Sequence, residues 1–187
     1  MLIACIAFGS LVWKPEPMQL ASGWMADGPV LPLEFARVGD KGELSVVACP
    51  QGRPCPTRWA LLEVADLARA REALRRREQI RPHRPEWVGS LDLRTAVGQG
   101  GGDRAGEPRI ARWLRRQWVD AAVWTALPPR IAGQDGRFPS CDEAIAYLDG
   151  LAGEVRDHAR DYVRRTAVEI DTPYRRAAER RLGWGPA

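Results

Sequence analysis

A chain of 187 residues with 45% hydrophobic residues and eight Trp is long and apolar enough to bury one sizeable core, which excludes a disordered chain. Its 28 Lys and Arg against 24 Asp and Glu leave a formal net charge of +4, and all of these cations but Lys14 and Lys41 are Arg. The arginine clusters at 75–77, 115–116, 164–165, 175–176 and 180–181 alternate with apolar positions as solvated helix faces do, which disfavours nucleic acid as a partner.

No apolar run approaches membrane-spanning length, and the opening run is too short and lacks the basic flank of a secretory signal. The expectation is therefore a cytoplasmic location and no membrane partner. Of the four Cys, Cys5 and Cys141 read as small buried hydrophobes. Cys49 and Cys55 bracket a Pro-Gln-Gly-Arg-Pro turn. They would make half a zinc site, but with His83 and His158 as the only further candidates and no Cys-x-x-Cys spacing, no metal is expected.

Residues Ile3 to Phe8 are apolar without polar alternation, and Gly9-Ser10 closes the run, the pattern of a strand buried on both faces. Amides following such a Gly can form a nest for an anionic group; the alternative is a strand with an ordinary turn. Lys14 to Asp27, with Pro15, Pro17 and Gly23, reads as a loop. Pro29 to Val38 and Glu43 to Cys49 read as strands of a hairpin turned by Gly39-Asp40-Lys41-Gly42. In the first, Leu31, Leu33 and Phe35 alternate with Pro32, Glu34 and Ala36, so one buried face is predicted. Arg37, beside the turn, is a candidate carboxylate clamp; the alternative is an exposed terminal Arg. Thr57 to Val64 is another strand.

Asp66 is placed to cap a helix from Leu67 to Gln79, with an apolar stripe of Leu67, Ala70 and Leu74 whose next position is Glu78. Desolvation and the helix dipole both disfavour the charged form of a carboxyl group there, as a general base working near neutrality requires. The alternative is a frayed end at which Glu78 meets water or Arg75.

Pro82 to Pro85 reads as irregular, Trp87 to Val97 as containing a strand, and Gly98 to Gly106 as a mobile surface loop, since no Gly-Lys-Ser/Thr follows. Arg109 to Trp118 is predicted as a short helix and Val119 to Leu127 as a strand stopped by Pro128-Pro129. Ser140 with Glu143 makes a capping box for a helix carrying Ala144, Ile145, Leu148 and Leu151. That pattern continues through Val155, Ala159, Tyr162 and Val163 after a break near Gly150 or Gly153. Thr172-Pro173 opens a last helix ending at Gly183. Strands first and helices late give an α+β order in one domain.

Two of these stretches carry a resemblance. Phe8-Gly9-Ser10-Leu11-Val12-Trp13 resembles the N-terminal signature of the gamma-glutamylcyclotransferase superfamily, usually Tyr-Gly-Ser followed by Asn or Leu. Its Leu-Val-Trp continuation is most similar to the glutathione-degrading, ChaC-like branch. Leu74-Arg-Arg-Arg-Glu78 resembles the Leu-Asp-x-x-Glu motif that holds the family's acid/base Glu. Phe8 replaces the family's Tyr and Arg75 its Asp. The Gly-Tyr that often follows the Glu is absent, the chain continuing with Ile80-Arg81-Pro82-His83.

The resemblance spans roughly residues 3 to 127. It implies a small mixed β-barrel with flanking helices over about residues 1–135 and a helical embellishment over about 140–187. It also implies an enzyme that cyclises a gamma-glutamyl amide to 5-oxoproline without a cofactor. Glu78 would be its acid/base, and Phe8, Gly9, Ser10, Leu11 and Val12 would bind the small-molecule substrate, with Arg37 as a clamp and Trp124 as the aromatic of a late strand. The rival expectation, on the same fold, is a non-catalytic module that uses its Arg-rich helices to bind an acidic partner.

Overall fold

The computed structural model describes residues 1–95, 97–100 and 106–185. The strands in chain order are β1 Ile3–Ala7, β2 Leu31–Val38, β3 Leu44–Ala48, β4 Arg53–Cys55, β5 Arg58–Leu61, β6 Val88–Asp92, β7 Val97–Gln99, β8 Ala121–Thr125, β9 Arg130–Ile131 and β10 Gln134–Asp135. The helices are α1 Leu67–Arg77, α2 Glu107–Gln117, α3 Cys141–Asp149, α4 Gly153–Arg165 and α5 Pro173–Leu182. They form two compact units, one of Met1–Leu31 with Pro56–Leu127 and one of Pro32–Cys55 with Pro128–Ala187.

The first unit is built on a sheet in the order β5-β1-β8-β6-β7. β1 runs parallel to β8, with Cys5 opposite Val123 and Ile6 opposite Trp124, and antiparallel to β5, with Ile6 opposite Trp59. Ile3, Cys5, Ala7, Ala121 and Val123 share one apolar cluster with Ala70 and Leu74 of α1. Period two sends Ile6, Trp59 and Trp124 to the other face, where Trp113 of α2 stands edge-on to Trp59 with ring centroids 5.0 Å apart. Helices on both faces explain why all five residues of β1 are buried and none is polar. Asp66 caps α1 by accepting a hydrogen bond from the Arg69 N–H at 2.8 Å.

The second unit holds a sheet in the order β10-β9-β2-β3, with β4 also on β2. Tyr162 of α4 stands edge-on to Phe35, and its hydroxyl accepts the Val46 N–H at 3.2 Å. The opposite face of β2 is buried too, against the one-sided burial expected from sequence. Glu34 is 2% exposed, and its Oε1 accepts the Phe35 N–H at 2.8 Å. Burial pushes its carboxyl group up, opposed by hydrogen bonds from the Thr172 hydroxyl and from the Phe35 and Tyr174 N–H groups. The capping box of Ser140 and Glu143, the break between α3 and α4, the Thr172 cap and the left-handed Gly183 (φ 70°) all stand where the sequence puts them.

The α+β class holds, but the expected barrel does not: among the described residues there are two mixed sheets and no closed one. A strand has two hydrogen-bonding edges, and those of β1 are taken by β5 and β8. The β2–β3 hairpin therefore finds its further partners in β9 and β4. The Gly-rich stretch begins inside β7, and the rest of the predicted loop, at 101–105, lies outside the described residues. Among the described residues no helix is long and apolar enough to cross a membrane.

Candidate functional site

β1 delivers the chain to Gly9, at φ −144° and ψ −141°, and a single 3-10 turn follows over Ser10–Val12. Gly9 is thus outside the left-handed region, and no positive φ requires a glycine there. The Val12 N–H donates to the Gly9 carbonyl at 3.0 Å, and the Trp13 and Lys14 N–H groups donate to the Ser10 carbonyl at 3.2 and 2.9 Å. Val12 is therefore not an open donor, whereas the Ser10 and Leu11 amides begin the turn, where N–H groups have no partner within it. Phe8 and Leu11 are buried at 5% and 4% exposure, and Leu11 belongs to the cluster of Cys5 and Leu74. Neither side chain offers the loop a polar group.

Glu78 ends α1, its N–H donating to the Leu74 carbonyl at 2.9 Å. Its side chain is 15% exposed and does not meet Arg75. Arg75 instead holds Glu72 with Nε and Nη2 at 2.7 and 2.9 Å, and donates from Nη1 to the Ile80 carbonyl. Those hydrogen bonds, with another from Arg76, pull the Glu72 carboxyl group down to about 2. Glu78 meets Arg77, whose Nη1 donates to Oε1 at 2.9 Å. The same guanidinium, 10% exposed, donates from Nη2 to the Ser10 hydroxyl at 3.1 Å and reaches the Lys14 carbonyl with Nη2 at 2.7 Å and Nε at 3.0 Å.

One arginine thus ties the glycine loop to Glu78. The Cys5 thiol lies within reach of both charges; burial pushes it up, Glu78 adds to the rise and Arg77 opposes it. Sequence reasoning passed over Arg77. The signal was present, since Arg77 stands seven residues after Ala70 and three after Leu74, on the stripe that carries Glu78.

The other two candidates do not join this cluster. Trp124 is 6% exposed, and its indole lies against Gly89, where a Cβ would overlap the ring. It faces away from Val123 and therefore away from the sheet face that α1 covers. Arg37 belongs to the second unit, and the carboxylate it clamps is the chain's own: Nη1 donates to Asp135 Oδ1 at 2.9 Å and to the Pro128 carbonyl at 2.8 Å.

Gln79, directly after Glu78, takes φ 54°, a left-handed conformation that favours glycine. Gln79→Gly should raise the unfolding free energy by about 0.5–1 kcal/mol, the relief of the side chain outweighing the extra freedom of the unfolded glycine. Urea denaturation of the two proteins measures it.

Among the described residues no group of three or more His, Cys, Asp or Glu side chains is arranged to hold a metal ion. No protein-family model, curated protein or solved structure matches this chain.

Proposed function

We propose that the protein is a cyclotransferase of the gamma-glutamylcyclotransferase type. The observation that carries this reading is the Arg77 bridge, which holds the Ser10 loop and the half-buried Glu78 together. In the proposed reaction the substrate's α-amine attacks its own γ-carbonyl carbon. One C–N bond forms as the ring closes, and the original amide C–N bond breaks. Glu78 takes the proton from the attacking nitrogen and returns it to the leaving nitrogen. The products are 5-oxoproline and a free amine or peptide, with no water consumed.

Intramolecular attack supplies much of the rate by geometry alone, so the protein's task is to hold the glutamyl group and move one proton. The guanidinium of Arg77 is the kind of group that takes a substrate carboxylate. By leaving Glu78 for the substrate it would free the base. The test is incubation with a panel of gamma-glutamyl peptides and amines, with 5-oxoproline measured by chromatography. Release from at least one member is expected; no release from any of them removes the proposal.

One observation favours the rival, a binding module without catalysis. The Glu78 carboxylate is already engaged by a guanidinium at 2.9 Å and so is not open to take a substrate proton. A module would bind gamma-glutamyl compounds, seen by calorimetry, and return them unchanged.

A further inference from the structure

The arginines of this chain look alike in sequence, but their ion pairs divide them. Those of α1 that lie beyond Arg71 are held by Glu72 or Glu78. In α4, Arg156, Arg160 and Arg165 meet Asp149, Asp157 and Asp161. In α5, Arg175, Arg176 and Arg181 meet Glu179, Asp171 and Asp142. α2 differs. Its Arg109, Arg112, Arg115 and Arg116 are all exposed, and none forms an ion pair among the described residues. Ile110, Trp113 and Leu114 are buried on the other side of the helix. Four cations with no ion pair among the described residues therefore project from one side of eleven residues.

At the end of that helix stands Trp118, 87% exposed and held at φ 56°. Its backbone conformation is one that a bulky side chain rarely adopts, and its indole gains nothing from the core. Asp27 accepts hydrogen bonds from Trp59 and Gln117, and Asp120 accepts the Leu2 N–H at 2.7 Å.

Against the expectation from sequence that these clusters are plain solvated helix faces and disfavour nucleic acid, we propose that the exposed side of α2, with Trp118, binds a single-stranded nucleic acid. Guanidinium groups fork onto phosphates, and an exposed indole offers a platform on which a base can stack. A single strand supplies both groups together. An acidic peptide would satisfy the arginines and leave the indole unused. A membrane surface would need the apolar stripe of the helix, which is buried. The inference stands apart from the chemistry at Glu78.

The test is fluorescence anisotropy of a labelled oligo(dT) of about 20 nucleotides with the full chain, set beside vesicles of anionic lipid. Contacts to four phosphates predict a slope of log K on log salt of about −3, hence a loss of about fiftyfold between roughly 50 and 200 mM salt. Trp118→Ala should weaken binding at least about fivefold at an unchanged slope. The double variant Arg112→Gln/Arg116→Gln should flatten the slope by about 1.4, and Arg112→Lys/Arg116→Lys should keep it. All the replaced side chains are exposed, and circular dichroism checks that each variant is folded. Wild-type binding that ignores salt, variants that bind like the wild type, or vesicles bound more tightly than the oligonucleotide would each overturn the proposal.

Discussion

Glu78→Gln is expected to lower 5-oxoproline release by about 10²–10⁴-fold, the usual range for a positioned acid/base, in a protein that still folds. Gln keeps the length of Glu and retains a carbonyl oxygen for Arg77 Nη1, so the bridge to Ser10 survives in outline. What is lost is the proton acceptor. Arg77→Met separates chemistry from positioning: it removes the bonds to Ser10, Lys14 and Glu78 while leaving the carboxylate in place. Its rate should fall because the loop and the base drift apart, and about an ångström of misplacement is worth roughly 10²-fold. Stability should fall as well, by about 1–3 kcal/mol, because a half-buried carboxylate loses its guanidinium partner. Initial rates and urea unfolding of both variants read these effects. Full activity in Glu78→Gln would remove Glu78 from the mechanism.

How far the sequence reaches can be seen at particular residues. The unalternated run of β1 announces burial on both faces, and the helices α1 and α2 supply it. Asp66, Ser140, Glu143 and Thr172 are legible as caps because a cap is a local bargain between one side chain and amides two or three residues away. Pairing is not local. Ile3 lies opposite Ala121, and no periodicity in either stretch names the other as its neighbour. The barrel expectation failed on that point. Glu34 shows the same limit, since its burial depends on Thr172 and on the start of α5, far along the chain. Among Arg75, Arg76 and Arg77 the chemistry is identical; helical spacing would offer Arg75, three residues before Glu78, but Glu72 holds Arg75 and Arg76, and Glu78, standing just past the helix, meets Arg77. The orientation of Trp124 was readable, because Val123 beside it belongs to the face covered by α1.

Trp113→Ala is expected to lower the unfolding free energy by about 3–5 kcal/mol, a large share of the roughly 5–15 kcal/mol that holds a typical domain together. The side chain is 1% exposed and edge-on to Trp59, so its removal leaves a cavity between α2 and the sheet. It also ends a polar junction around Asp27. The Trp113 indole N–H donates to the Asp27 carbonyl at 2.7 Å, and the Asp27 carboxylate accepts the Trp59 indole N–H at 2.8 Å and the Gln117 amide at 2.9 Å. The bonds to the carboxylate, the one from Trp59 first, hold the Asp27 carboxyl group below the usual range. Through them one loop residue fastens both β5 and α2. Trp113→Phe keeps most of the ring contact but leaves the Asp27 carbonyl without its donor, and should lose about 1–2 kcal/mol beyond the smaller ring. Urea unfolding followed by circular dichroism gives both values. A Trp113→Ala protein within about 1 kcal/mol of the wild type would mean that α2 is an appendage to the first unit. Its basic outer side would then be free to move against the sheet instead of being presented by it.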